Sequence, residues 1–481
     1  MPEEEATTAA KRESTVAVLC CMLIGTGVML PWNAFLTAYD FFVHIYAGFP
    51  FEFALGCFYN AAGSLVLFAC IFLGKYLGSL GTRLAVCFTL DCLMLAIVPV
   101  LAIFLDASLS VWLVLSATAV TGAVTAVSFG ASISLASLFG PKSIAACMAG
   151  NGVSGLVVSV IRIVTKVTVP ATRAGDITSA VAYFATAAVI VLVCVFASLF
   201  LVRTPEAAAL IAAANAGSKS AEAKKRTDEE TASLLGFVPL NTHTHTHICT
   251  QMHMHVFTLE HTHSSVNATS MKDGVSIEAA MDDKPKVTVK SVLKKMWLQA
   301  LTVWSVFFVT LSLFPGVTTM IKPQLPESHT TASSTSDSDS LSSGSAPQSW
   351  LAEWFSLILI TLFMVFDFIG RYLPSFVVVC TPRTLWIPVV ARVVFFPLFS
   401  LMAKGIWTAG VNVWAPIIMI VFAFTNGYFS TVAMIFGPAP TAPEERETAS
   451  TIMSFGLNFG IFCASFFALL MLYFINGSFS V

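Results

Sequence analysis

Charge is the scarcest property of this chain. Only 11% of its 481 residues are charged, against 56% that are hydrophobic, whereas a soluble domain carries about 25% charged residues. So little charge cannot cover a water-exposed surface, which makes the chain an integral membrane protein. A formal net charge of -2 argues against a nucleic-acid binder and leaves no strong global field. No CxxC pair occurs among the 11 cysteines. Most of them, such as Cys20, Cys57, Cys92, Cys194 and Cys463, lie in apolar runs and read as small packing residues. HExxH, GxSxG and Walker loops are all missing. The chain is therefore expected to be no enzyme, to need no cofactor and to lack an ATP-driven motor. Residues 1–13 are short and charged, without a signal-peptide hydrophobic core, so the first apolar run is expected to serve as an uncleaved anchor.

What the chain has in quantity is long apolar runs. A membrane span takes ~20 mostly apolar residues. Runs of that kind fall at 16–39, 53–73, 84–105, 111–139, 144–169, 177–202, 298–321, 350–379, 386–403, 413–436 and 448–475. The expected fold is all-α and polytopic, with about 11 transmembrane helices. Lys11, Arg12, Lys75, Arg83, Lys142, Arg383 and Arg446 share one side, while segments 40–52 and 106–110 carry no Lys or Arg. That asymmetry places the N-terminus in the cytoplasm and, with an odd number of spans, the C-terminus outside. Lys166, Arg173 and Lys404 run against the rule. Residues 1–203 form an N-terminal six-helix half. Residues 204–295 read as a cytoplasmic polar loop, largely disordered, holding seven of the nine histidines. Residues 296–481 form a five-helix half with a Ser-rich outside loop at 326–347. The alternating Thr-His stretch from Thr242 to His247 lacks the fixed spacing of a metal site, so no metal is expected.

Asp367 and Arg371 stand out, because opposite charges at membrane depth are costly. Their i,i+4 spacing lets them pair on one helical face, and Gly370 between them leaves room for a neighbouring helix or a ligand. The pair points to a polar pathway through the membrane. Pro31-Trp32-Asn33 interrupts the first helix and is expected to kink it, with Trp32 and Asn33 offering a ring face and hydrogen bonds to a flat heterocycle. Interhelical glue is the competing reading. The small residues from Gly150 to Gly155, and Gly456 with Gly460, permit close helix packing or line a pore. Asp91, two turns into the third helix, and Arg162 are further intramembrane charges, each read as structural when taken singly. Arg392 is expected to meet a carboxylate or the cytosolic headgroups.

On these residues the chain resembles the equilibrative nucleoside transporter family, with a flavour of its protozoan nucleoside and nucleobase branch. Pro31-Trp32-Asn33 and Phe366-Asp367-Phe368-Ile369-Gly370-Arg371 carry the match. The most specific block runs from Phe422 through Asn426-Gly427-Tyr428, Phe436-Gly437-Pro438, Pro443-Glu444 and Glu447-Thr448-Ala449 to Ile452-Met453. The resemblance implies a major-facilitator-like arrangement of six plus five helices with the substrate between the halves. It implies that Trp32 and Asn33 line the base region together with Met29 and Leu36, and that Asp367 and Arg371 contact the ribose or organise the centre. Ser128-Phe129-Gly130 stands where some members carry a base-reading glutamine, so Phe129 is expected to stack on the base. The implied partner is a nucleoside, purine foremost, or alternatively a purine nucleobase, moved by alternating access in a facilitative or proton-coupled cycle. A channel or a non-transporting receptor is the further alternative. The resemblance implies the plasma membrane.

Overall fold

A computed structural model describes residues 14–38, 41–42, 45–46, 51–74, 77–170, 172–214, 216, 289–324 and 346–477. Regular structure among these residues is helical throughout. Eleven helices are long and apolar enough to cross a membrane. They are α1 (Thr15–Thr37), α2 (Phe51–Leu73), α3 (Leu80–Phe104), α4 (Ala107–Phe139), α5 (Pro141–Thr168) and α6 (Arg173–Arg203). After the long polar segment come α7 (Val289–Leu313), α8 (Ala346–Tyr372), α9 (the span Trp386–Ala403), α10 (Val411–Phe436) and α11 (Arg446–Asn476). Each carries an apolar surface that water would reject and lipid accepts.

Three local expectations are corrected. Proline at 31 does not interrupt α1, which continues unbroken from Thr15 to Thr37; neighbouring helices hold such a turn together in lipid-buried structure. Helix α3 begins at Leu80, where the Ser79 hydroxyl caps the Thr82 N–H, so Asp91 sits three turns in. Helix α7 begins at Val289, so Lys290, Lys294 and Lys295 belong to its first turns instead of a loop. The histidine tract, the sequon at Asn267 and most of the Ser-rich stretch fall outside the described residues.

Helix pairing repeats within the chain. In the first six helices α1 packs on α5 and α2 on α4, and in the last five α7 packs on α11 and α8 on α10. Glycine sets the closeness of these pairs. A methyl group on Gly25 would overlap the Cys147 carbonyl of α5, and one on Gly150 would overlap the Met22 carbonyl of α1. Gly370 and Gly427 lock α8 and α10 in the same reciprocal way, against the carbonyls of Phe424 and Asp367. Without a hydrophobic drive between helices in lipid, close van der Waals contact of this kind does the holding. The two sets meet where α5 lies on α8 and α2 on α11. Gly152 and Gly155 of α5 abut Phe368 and Met364 of α8. The small-residue run from Gly150 to Gly155 is thus a packing face on both its sides.

Candidate functional site

Where the two sets face each other they leave a cleft of about 150 Å³, bordered by α1, α2, α4, α5, α7, α8, α10 and α11. Each residue expected from sequence to line the substrate site borders it. Met29, Trp32, Asn33 and Leu36 come from α1, Phe129 from α4, and Asp367 and Arg371 from α8. The α1 residues recur every three or four positions, so one stripe of that helix supplies them. Trp32 lies against Tyr59 of α2, ring centroids 4.6 Å apart. Phe314 and Phe363 stack at 3.8 Å on the side of the five-helix set. Phe129 lines the cleft but is only 1% exposed, which leaves little of its ring face open. The Asn33 amide donates to Ser154 Oγ of α5 at 2.8 Å, which means the residue also ties α1 to α5.

The polar centre is a one-way chain of donors ending on Asp367. Arg371 Nε donates to Asp367 Oδ2 at 2.7 Å, and both side chains are buried, 5% and 8% exposed. Asn426 Nδ2 of α10 donates to the other oxygen, Oδ1, at 2.7 Å. Asn426 Oδ1 lies 2.7 Å from the Thr310 hydroxyl of α7, and Arg392 Nη2 donates to that hydroxyl at 2.8 Å. A guanidinium has no acceptor, so Thr310 must receive from Arg392 and has one proton to pass on. The direction Arg392 to Thr310 to Asn426 to Asp367 follows. The chain leaves lone pairs on both carboxylate oxygens, which can accept further donors.

Arg392 departs from its sequence expectation. It is buried, 2% exposed, and pairs directly with no carboxylate among the described residues. Its remaining bonds go to the carbonyls of Val306 at 3.1 Å and Phe422 at 3.2 Å, with the charge 5.2 Å from the Phe422 ring. The short 3-10 turn Arg392–Val394 interrupts α9 at this residue. On the other side of the cleft Asp91 of α3 is fully buried and accepts from Thr125 Oγ1 at 3.3 Å. Each set thus holds one charge of its third helix behind a cleft-lining threonine. Sequence reading named Asp91 and Arg392 as intramembrane charges but missed Thr125, Thr310, Asn60 and Asn458. Polar side chains inside apolar helices were the available signal. No group of three or more His, Cys, Asp or Glu suited to a metal occurs among the described residues.

At the ends of α3, α4, α7 and α11 that lie on the side where α1 starts, charged side chains join neighbouring helices. Arg83 of α3 pairs with Glu447 of α11. Arg446 Nη1 donates to the Ser137 carbonyl of α4 at 2.9 Å. Both contacts link the first set of helices to the second. Lys295 and Glu445 pair within the second set at 2.7 Å.

Sequence comparison places this architecture among known proteins. A family profile described as "Nucleoside transporter" matches residues 115–473, well over half of the chain. Equilibrative nucleoside transporter 1 of Rattus norvegicus is 34% identical over 182 residues, 36% of this chain and 36% of the relative. The chain thus aligns with little more than a third of that relative's length. Equilibrative nucleotide transporter 8 of Arabidopsis thaliana is 23% identical over 455 residues, covering 94% of this chain and 93% of the relative. Among solved structures, a mutant of the nucleoside transporter NupG gives a TM-score of 0.48 at 13% identity, covering 96% of this chain and 93% of that one.

Proposed function

Since the chain belongs to the nucleoside transporter family, we propose that it carries nucleosides, purines foremost, across a membrane by alternating access. It is no enzyme, as its relatives are transporters. The observation that carries the reading is the buried Asp367–Arg371 pair on the wall of a cleft between two sets of helices. A pair placed for packing alone would not need to border that cleft. Rings of Trp32 and Tyr59 suit a flat base, and the spare lone pairs of Asp367 suit ribose hydroxyls. Met29, Leu36 and Phe129 complete the apolar lining, while Asn33 and Arg371 orient the polar groups. The two sets, residues 1–203 and 296–481, rock about the site as rigid bodies. The contacts Arg83–Glu447 and Arg446–Ser137 then close the cytoplasmic end, with the N-terminus inside, the C-terminus extracellular and the plasma membrane as residence.

The drive is the substrate gradient, or that gradient joined to protons through buried Asp91. A nucleobase carrier is the second reading, favoured by the amide and ring groups that would recognise a base without its sugar. Uptake of radiolabelled adenosine, inosine, hypoxanthine and uridine by cells lacking their own carriers tests all of this. Saturable purine nucleoside uptake is expected, with Asp367→Ala lowering it at least tenfold at normal surface expression, since breaking a buried pair strands the other charge. Absence of saturable uptake, or conductance far above carrier turnover, overturns the reading. Proton currents evoked by substrate in the same cells decide the drive.

A further inference from the structure

Two asparagines that sequence motifs did not assign face the same cleft. Asn60 of α2 and Asn458 of α11 both border it, one from each set of helices, at a place where α2 and α11 pack together. They are 3% and 8% exposed. Each spends its amide N–H in the same way: Asn60 Nδ2 donates to the Gly56 carbonyl at 2.8 Å, and Asn458 Nδ2 to the Ser454 carbonyl at 3.0 Å. Both bonds run one turn back along the residue's own helix.

That arrangement fixes the amide orientation. Only the NH2 end can donate to a carbonyl, and turning either amide over would set oxygen against oxygen. The two Oδ1 atoms are therefore acceptors, and neither receives a donor among the described residues. Asn458 Oδ1 stands beside α2 about one turn from Asn60: a Cβ on Gly63 would lie 3.6 Å from it. Neither oxygen is sealed from the cleft, so a ligand there that presents two donors replaces water on both at once.

We propose that Asn60 and Asn458 form a two-acceptor subsite that reads the donor edge of a purine base, a ring N–H beside an exocyclic amine. This rests on the nucleoside-transport reading and deepens it. The guanine edge supplies both donors side by side, whereas the hypoxanthine edge supplies the ring N–H alone. Occupation of the subsite also bridges the two sets of helices, because one acceptor belongs to each. Asn60 and Asn458 are then specificity-determining residues that touch the substrate.

The test compares guanosine with inosine, which differ only by that amine, as competitors of radiolabelled purine nucleoside uptake by the full chain. The unaltered protein is expected to prefer guanosine by about tenfold, the scale of one buried hydrogen bond with its desolvation. Asn458→Leu and Asn60→Leu keep side-chain volume and delete the acceptor. The variant that loses the amine's acceptor should bring the guanosine-to-inosine ratio towards one with little change in inosine potency. The variant that loses the acceptor of the shared ring N–H should weaken both competitors at an unchanged ratio. Should a leucine variant fail to reach the surface, the guanosine-to-inosine ratio of the unaltered protein still decides, because the subsite requires a preference for guanosine there. A variant with a merely structural defect would weaken both competitors alike. Equal potency in the unaltered protein, or a parallel loss in both leucine variants, overturns the subsite and leaves transport standing. Absence of saturable nucleoside uptake overturns the transport reading and the subsite with it.

Discussion

Arg392 shows how a residue that never touches the cleft can govern what happens there. Its charge is enclosed by two carbonyls, a hydroxyl and the Phe422 ring, and it faces Asp367 only through Thr310 and Asn426. Because a guanidinium can only donate, Arg392 leaves the Thr310 proton to Asn426 Oδ1 or to the Val306 carbonyl, and the bond to Asn426 holds that amide with its N–H towards Asp367. Arg392→Lys keeps the charge but not the fork, and Arg392→Gln loses both. We expect KM for adenosine to rise about tenfold in Arg392→Gln and less in Arg392→Lys, at unchanged surface expression. Thr310→Val, which breaks the chain while sparing the arginine, should reproduce the loss. A double variant Arg392→Gln with Asp367→Asn should do little more harm than its worse single parent, since residues acting through one another are not additive. Additive effects in uptake kinetics would show that Arg392 supports the fold and nothing else.

At the scale of the helix, much was legible in the sequence because length and apolarity decide what crosses a membrane. The eleven runs became eleven helices, and the i,i+4 spacing of Asp367 and Arg371 became an ion pair at 2.7 Å. What stayed hidden were relations between helices. Nothing in the spacing of α7, α9 and α10 says that Thr310, Arg392 and Asn426 meet, and Arg392, expected at a carboxylate or the headgroups, sits instead in the 3-10 turn that interrupts α9. The same holds for Asn60 and Asn458, isolated polar letters in separate apolar runs. The role of glycine was half visible: Gly370 promised room for a helix or a ligand, and α10 is what takes that room. Gly427 returns the contact against the Asp367 carbonyl. Gly427→Ala should therefore push α10 off α8 and cost about 1–3 kcal/mol, the usual range for overpacking. Thermal unfolding of the purified carrier in detergent would register this as a lowered midpoint. The displaced Asn426 should weaken uptake as well. An alanine variant as stable as the original would mean that the two backbones can part without cost.

For the whole molecule, the pairing of α1 with α5 and α2 with α4 recurs as α7 with α11 and α8 with α10, which makes the cleft a seam between two similarly built sets. Under the proposed alternating access such a seam opens at either end in turn, and what closes it sets the balance between the two facings. Arg83–Glu447 and Arg446–Ser137 tie the sets together at the end where α1 starts. Glu447 keeps 40% of its side chain exposed, so its ion pair contributes at most about 1 kcal/mol. That is too little to decide whether the protein folds, yet ~1 kcal/mol changes a two-state population ratio about fivefold. Glu447→Ala should accordingly leave the unfolding midpoint nearly unmoved while shifting the ratio of influx KM to efflux KM by up to fivefold. Exchanging the charges, with Arg83→Glu and Glu447→Arg together, should return that ratio towards its original value. Zero-trans influx and efflux measured in the same vesicles would report it. If the ratio stays constant across all three variants, these ties follow the closed facing without holding it, and the balance must rest on the packed contacts of α5 with α8 and α2 with α11.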